Sequence, residues 1–241
     1  MKTNFLKILG IGLALTTTTA CAHEASSVDQ TASYIEMTAA EGQTQNLAEF
    51  LAGAAPIVGQ TEPGTQLWFA LKSMDGTLAI FDIFDDENAR NAHFSGAVAS
   101  ALSENANILD EGGWDAGVVA NINNSTVLSS KAPVDLYSAT TATYIKLNAA
   151  PGQGEALADL LTAAGPIVAE TEPKTLYWVA LRLDENNFAI FDIFDDDSGR
   201  YDHFAGQVAC ELKEKSAMLV EGGWDAGVVA NVNNYEILAI K

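Results

Sequence analysis

His93 and His203 are the residues best suited to chemistry in this 241-residue chain, and each sits one position before a phenylalanine, Phe94 or Phe204. An imidazole titrates near neutrality, so one bordering a pocket can take a proton from a phenolic hydroxyl and leave an electron-rich anion. The competing reading is a histidine that fills a groove and bonds locally. With one such histidine per half of the chain and no second at ligand spacing, no metal centre is expected.

Asp82 and Asp192 form the second pair. Each interrupts the apolar run AIFDIF, and strand alternation puts Asp82 on the side of Ile80 and Phe84. An unpaired buried carboxylate is expensive. Either these aspartates are paired, with Lys72 and Arg182 on the preceding strand as candidates, or they orient a histidine or a substrate. Trp68, Trp178, Phe84 and Phe194 are the aromatics available to line a pocket for a flat ligand, although core packing explains most tryptophans, Trp114 and Trp224 included. Asp85, Asp86, Asp195 and Asp196 read as helix caps. Asn121, Asn123 and Asn124, with Asn231, Asn233 and Asn234, read as a turn into a last strand, ahead of an oxyanion-binding role.

Every candidate comes in two copies because the chain repeats itself 110 residues apart. EGGWDAGVVAN runs from Glu111 to Asn121 and again from Glu221 to Asn231, and FDIFDD begins at Phe81 and at Phe191. About half of the aligned positions are identical, with no insertion or deletion. A period of this size is a small domain, and two copies suggest a fused, intramolecular pseudo-dimer.

The units span 32–131 and 142–241, with Ala132 to Thr141 as a linker. Each opens on a short strand (Tyr34 to Met37, Tyr144 to Leu147) and continues into an amphipathic helix carrying Leu47, Leu51 and Val58, or Leu157, Leu161 and Val168. Pro56 and Pro166 are expected to kink or shorten that helix, and the TEP triplet to break the chain. Two strands follow, joined in the first unit by Asp75-Gly76. Then comes one long helix with Phe94, Val98, Leu102 and Leu109 on a face, and a last strand near Thr126 to Ser129. The order βαββαβ is ferredoxin-like. The expected class is therefore α+β: two such units closing a pseudo-twofold α+β barrel.

Residues 1–21 read as a signal peptide, with Lys2 and Lys7 before the apolar Ile8 to Leu15. Thr18-Thr19-Ala20-Cys21 resembles a bacterial lipobox, which would lipidate Cys21. Cleavage after Ala20-Cys21-Ala22 is the alternative. Both predict an exported bacterial protein, a membrane-anchored lipoprotein in the first case and a periplasmic protein in the second, so the lipid on Cys21 is the only membrane link expected. Cys210 is then unpaired, and no disulfide framework is expected. With 12 Lys+Arg against 32 Asp+Glu, the chain is too acidic for nucleic acid.

Several strings together, TEPGTQLWFAL, FDIFDDENARNAHFSGAVASAL and VLSSK, resemble the antibiotic biosynthesis monooxygenase family of the dimeric α+β barrel superfamily. The second unit resembles it through TEPKTLYWVAL, FDIFDDDSGRYDHFAGQVACEL and EILAIK. The resemblance covers nearly all of both units. It implies small barrels, some of which oxidise quinols or polyphenols with dioxygen and no cofactor, and a small aromatic or quinol-like partner. It places a histidine at the His93 and His203 positions, bordering the cavity between helices and sheet. Haem-degrading relatives need a tryptophan where this chain has Phe84 and Phe194, so haem is not expected here. A non-catalytic periplasmic binding or interaction module on the same fold is the alternative.

Overall fold

The computed structural model describes residues 30–241; the signal-like segment and Cys21 lie outside the described residues. The first unit contains β1 (Thr31–Met37), α1 (Thr44–Thr61), β2 (Thr65–Ser73), β3 (Leu78–Phe84), α2 (Glu87–Phe94), α3 (Ala97–Leu109) and β4 (Ile122–Lys131). The second contains β5 (Thr141–Asn148), α4 (Gly154–Thr171), β6 (Thr175–Arg182), β7 (Asn187–Phe194), α5 (Asp197–Phe204), α6 (Gln207–Leu219) and β8 (Val232–Ile240).

The strands close an antiparallel barrel in the order β1-β3-β2-β8-β5-β7-β6-β4. Within each unit the neighbours run β4-β1-β3-β2 or β8-β5-β7-β6, the ferredoxin-like order. The joins are β2 to β8 and β4 to β6, so the last strand of each unit zips onto the other. Among the described residues, closure leaves no strand edge exposed to pair with another chain.

Alternation divides each strand between two environments. Inward positions such as Phe69, Leu71, Phe81 and Ile83 fill the barrel with their counterparts from the second unit. Two pairs of pseudo-symmetric rings stack there: Tyr34 on Tyr144 and Phe81 on Phe191, both with centroids 3.8 Å apart. The interior is thus a packed core. Outward positions such as Trp68, Ala70 and Ile80 meet Leu47, Leu51 and Val58 of α1 and Val98 and Leu102 of α3. This helix-facing layer is where Asp82 lies.

Three local expectations need correction. Pro56 and Pro166 do not end their helices, which run on to Thr61 and Thr171. Each proline sits between buried residues, Ala55 and Val58 or Gly165 and Val168, so burial along that face outweighs one missing backbone bond. The long second helix is really two, broken at Ser95-Gly96 and at Ala205-Gly206. The last strand begins at Ile122 rather than Thr126, because Ile122, Asn123 and Asn124 already pair with Ile35, Tyr34 and Ser33 of β1. Asn123 and Asn124 are therefore strand residues, while Asn121 serves the preceding turn by donating to the Gly117 carbonyl at 2.8 Å, and the Asn123 side chain bonds back to the Asn121 carbonyl at 2.8 Å.

Candidate active site

The site is built where α1 ends. The backbone N–H of Glu62 closes the helix on the Val58 carbonyl at 3.0 Å, and the Thr65 N–H returns to the Glu62 carbonyl at 3.2 Å. This TEP corner turns α1 into β2 and folds the Glu62 side chain inward, to 9% exposure. Thr65 Oγ1 donates to Glu62 Oε2 at 3.1 Å.

The same carboxylate oxygen meets His93 Nδ1 at 2.5 Å. His93 lies in the last turn of α2, where the carbonyl end of the helix favours an imidazolium. Its other nitrogen, Nε2, is 3.7 Å from Asp82 Oδ2 on β3. The second unit repeats this arrangement. Glu172 Oε2 lies 2.5 Å from His203 Nδ1, Thr175 donates to Glu172 at 3.1 Å, and His203 Nε2 is 3.5 Å from Asp192 Oδ2. With the glutamate ionised, Nδ1 carries the proton and Nε2 is the basic nitrogen.

Helix breaks make room for this cluster. A Cβ on Gly96 would fall 2.7 Å from Glu62 Oε1, and one on Gly206 would fall 2.5 Å from Glu172 Oε1. Glycine is thus required at the start of α3 and α6 for space, with ordinary negative φ at both positions.

Burial sets the electrostatics. Asp82 is wholly enclosed, and burial pushes its pKa up to about 7, opposed by the charge of His93 and reinforced by that of Glu62. Asp192 is raised to about 7 in the same way, with His203 and Glu172 in those roles. Burial alone would pull the histidines down. The charge of Asp82 and the hydrogen bond and charge of Glu62 outweigh it, so His93 holds its proton above the ordinary histidine value, as does His203 with Asp192 and Glu172. A histidine between two buried carboxylates is a strong proton acceptor whose protonated form is stabilised in place.

A cavity of about 200 Å³ opens beside the second cluster, bounded by Glu172, Lys174, Gly199, Asp202, His203 and Gly206. Trp178 and Phe194 do not line it. They and their counterparts Trp68 and Phe84 are fully buried. Phe84 packs 5.3 Å from the His93 ring and Phe194 5.5 Å from His203, as the wall behind each imidazole. Trp68 stands directly across from Asp82 in the β2–β3 ladder, and among the described residues neither its indole N–H nor either Asp82 oxygen has a hydrogen-bond partner.

The structure thus brings His93 to Asp82 and His203 to Asp192, but not the aspartates to the basic residues considered for them. Lys72 pairs with Leu78 and Arg182 with Phe188 in their ladders, and Arg182 bonds Glu155 instead. Register puts both cations away from the aspartates. Asp86 and Asp196 cap α2 and α5 through the backbone N–H of Ala89 (2.8 Å) and Gly199 (3.0 Å). Trp114 and Trp224 belong to π-helical turns (Gly113–Val118 and Gly223–Val228) in which Gly113 and Gly223 adopt φ of +65°. The residues that sequence reasoning passed over are Glu62 and Glu172, hidden in triplets that read only as chain breaks.

No protein-family model and no curated protein matches the chain. Among solved structures, a candidate monooxygenase from Fusobacterium nucleatum superposes with TM-score 0.72 at 15% identity, covering 89% of this chain and 94% of its own. A second from Lactobacillus acidophilus gives 0.71 at 12% identity, covering 88% and 95%. An anthrone oxidase-like protein gives 0.57 at 12% identity, covering 90% and 94%. The chain shares the fold of these structures, with two ferredoxin-like units in one chain closing the eight-stranded barrel.

Proposed function

We propose that this chain is an exported enzyme that oxidises a small aromatic or quinol-like molecule with dioxygen, one site per unit, and that it needs no resident cofactor. The observation that carries this reading is the buried Glu62–His93 contact at 2.5 Å and its copy at Glu172–His203. The histidine takes the phenolic proton, and its two carboxylates hold the resulting imidazolium. The substrate anion is then electron-rich enough to react with oxygen at an activated ring carbon. In the balanced reaction that carbon passes from C–H to C=O and the phenolic C–OH also becomes C=O. One oxygen atom enters the product, and the other leaves as water with both hydrogens. The likeness in fold to monooxygenase candidates and to an anthrone oxidase-like protein supports this substrate class. Export through residues 1–21, with lipidation at Cys21 or cleavage after Ala22, belongs to the same reading.

A second reading rests on the burial of the histidines, each 5% exposed. In it the cluster locks the TEP corner to α2 or α5, and the protein carries a ligand without turning it over. Oxygen consumption by the purified protein, across a panel of phenols and quinols and with no added cofactor, separates the two. Substrate-dependent uptake supports oxygenation. Tryptophan-fluorescence evidence of binding, without uptake at any pH, supports the carrier and overturns the enzyme.

A further inference from the structure

A lysine stands at the end of each unit's closing strand, Lys131 as the last residue of β4 and Lys241 one residue beyond β8, and it does not stay with its own unit. Lys131 ends β4, which runs beside β6 of the second unit with Lys131 opposite Trp178. Its side chain is buried, and Nζ donates to the backbone carbonyl of Glu172 at 2.6 Å. The chain's final residue, Lys241, mirrors it across the pseudo-twofold. The Lys241 N–H bonds the Trp68 carbonyl at 2.9 Å, and Nζ reaches the carbonyls of Glu62, at 3.4 Å, and Thr65.

These contacts are directed at one place, the corner that carries the histidine-binding glutamate. A buried ammonium is costly unless satisfied. Two surface lysines, Lys174 and Lys215, pair with side-chain carboxylates, of Asp202 and Glu211. Lys131 and Lys241 instead use backbone carbonyls, which fixes the path of the TEP corner while leaving the glutamate carboxylate to its histidine.

We propose that Lys131 and Lys241 are positioning residues acting across the unit boundary. Lys131 completes the Glu172–His203–Asp192 cluster, and Lys241 completes Glu62–His93–Asp82. Each cluster therefore contains a group from the other unit, which ties both sites to the closed barrel. The inference builds on the reading of these clusters as sites, yet its geometry and its test do not require turnover.

The charged groups facing His203 are Glu172 from the end of α4, Asp192 from β7 and Lys131 from β4, with the Lys174–Asp202 pair at the cavity rim. Lys131 opposes protonation of His203, whereas both carboxylates favour it.

The test is imidazole NMR of the full chain, following the titration of each histidine and the downfield signal of its Nδ1 proton. Lys131→Met should move His203 titration to higher pH and shift its Nδ1 signal, leaving His93 unmoved. Lys241→Met should shift the Nδ1 signal of His93 and leave His203 unmoved. Lys131→Arg, which keeps the charge, should hold His203 titration near the wild-type position. The more exposed Lys241 variant keeps the test usable if Lys131→Met does not fold. Each lysine moving its own unit's histidine, both histidines equally, or neither would overturn the proposal. Absence of oxygen uptake in a protein showing the crosswise pattern would count against the oxygenase reading alone.

Discussion

Glu62 Oε2 lies 2.5 Å from His93 Nδ1 across 31 residues of sequence, and Glu172 and His203 repeat that distance. A charge-assisted bond between two buried groups fixes the imidazole more firmly than a surface pair can. It also ties the end of the first helix of each unit to the end of the second, so the site and the fold share one contact.

Removing the acceptor tests that contact. Glu62→Gln is expected to lower the pH at which His93 titrates, since both the hydrogen bond and the charge of Glu62 raise it. Glu172→Ala leaves a buried imidazole without its partner and should cost about 3–5 kcal/mol of stability. Imidazole NMR reads the first and denaturant unfolding the second. An unchanged His93 titration would show that the carboxylate does not govern it.

Gly96→Ala and Gly206→Ala probe the space beside the glutamates. The new methyl would meet Glu62 Oε1 at 2.7 Å or Glu172 Oε1 at 2.5 Å, with the His93 or His203 carbonyl only about 0.3–0.4 Å further away. Overpacking of this kind costs about 1–3 kcal/mol, and here it should also displace the glutamate and disturb histidine titration. Both glycines are N-caps, where alanine is already poorer than glycine, so the disturbed histidine titration is the readout particular to the crowding. A stabilised variant would contradict the crowded geometry.

Stability should fall as pH rises through the range these clusters titrate. Asp82 and Asp192 are raised from 3.8 to about 7, so the folded state binds more protons than the unfolded chain across that interval. More protons bound when folded means stability drops as pH climbs. The histidines add the same sign, since their raised pKa gives stability that is complete below the unfolded value of about 6.5 and is lost through the folded one. Melting temperature against pH should decline from about 4 to 8, and Asp82→Asn/Asp192→Asn should flatten the decline. A wild-type curve that rises across this window would be inconsistent with the buried aspartates.

Much of this was legible from the chain because the repeat doubles every signal. The strand order follows from βαββαβ, and the alternation in AIFDIF puts Asp82 on the side of Ile80, the side that the folded chain turns toward its helices. The pairing of that aspartate was not legible, because strand register decides which cation can reach it, and Lys72 falls opposite Leu78. Glu62 was hidden for a different reason. A glutamate beside a proline is ordinary corner composition, and only tertiary folding aims its carboxylate at a histidine on another helix. The available signal was repetition of TEP together with HFSG and HFAG, whose glycines mark both the helix break and the space the carboxylate needs.

If the paired histidines are the bases of an oxygen-consuming reaction, removing both must abolish that reaction. Oxygen uptake by wild type, His93→Ala, His203→Ala and the double variant, with a phenol or quinol turned over by wild type, tests it most directly. Each single variant should keep about half the activity and the double variant less than about 1%, and the wild-type rate should rise with pH above the ordinary histidine value of about 6.5. Undiminished uptake by a folded double variant would contradict it.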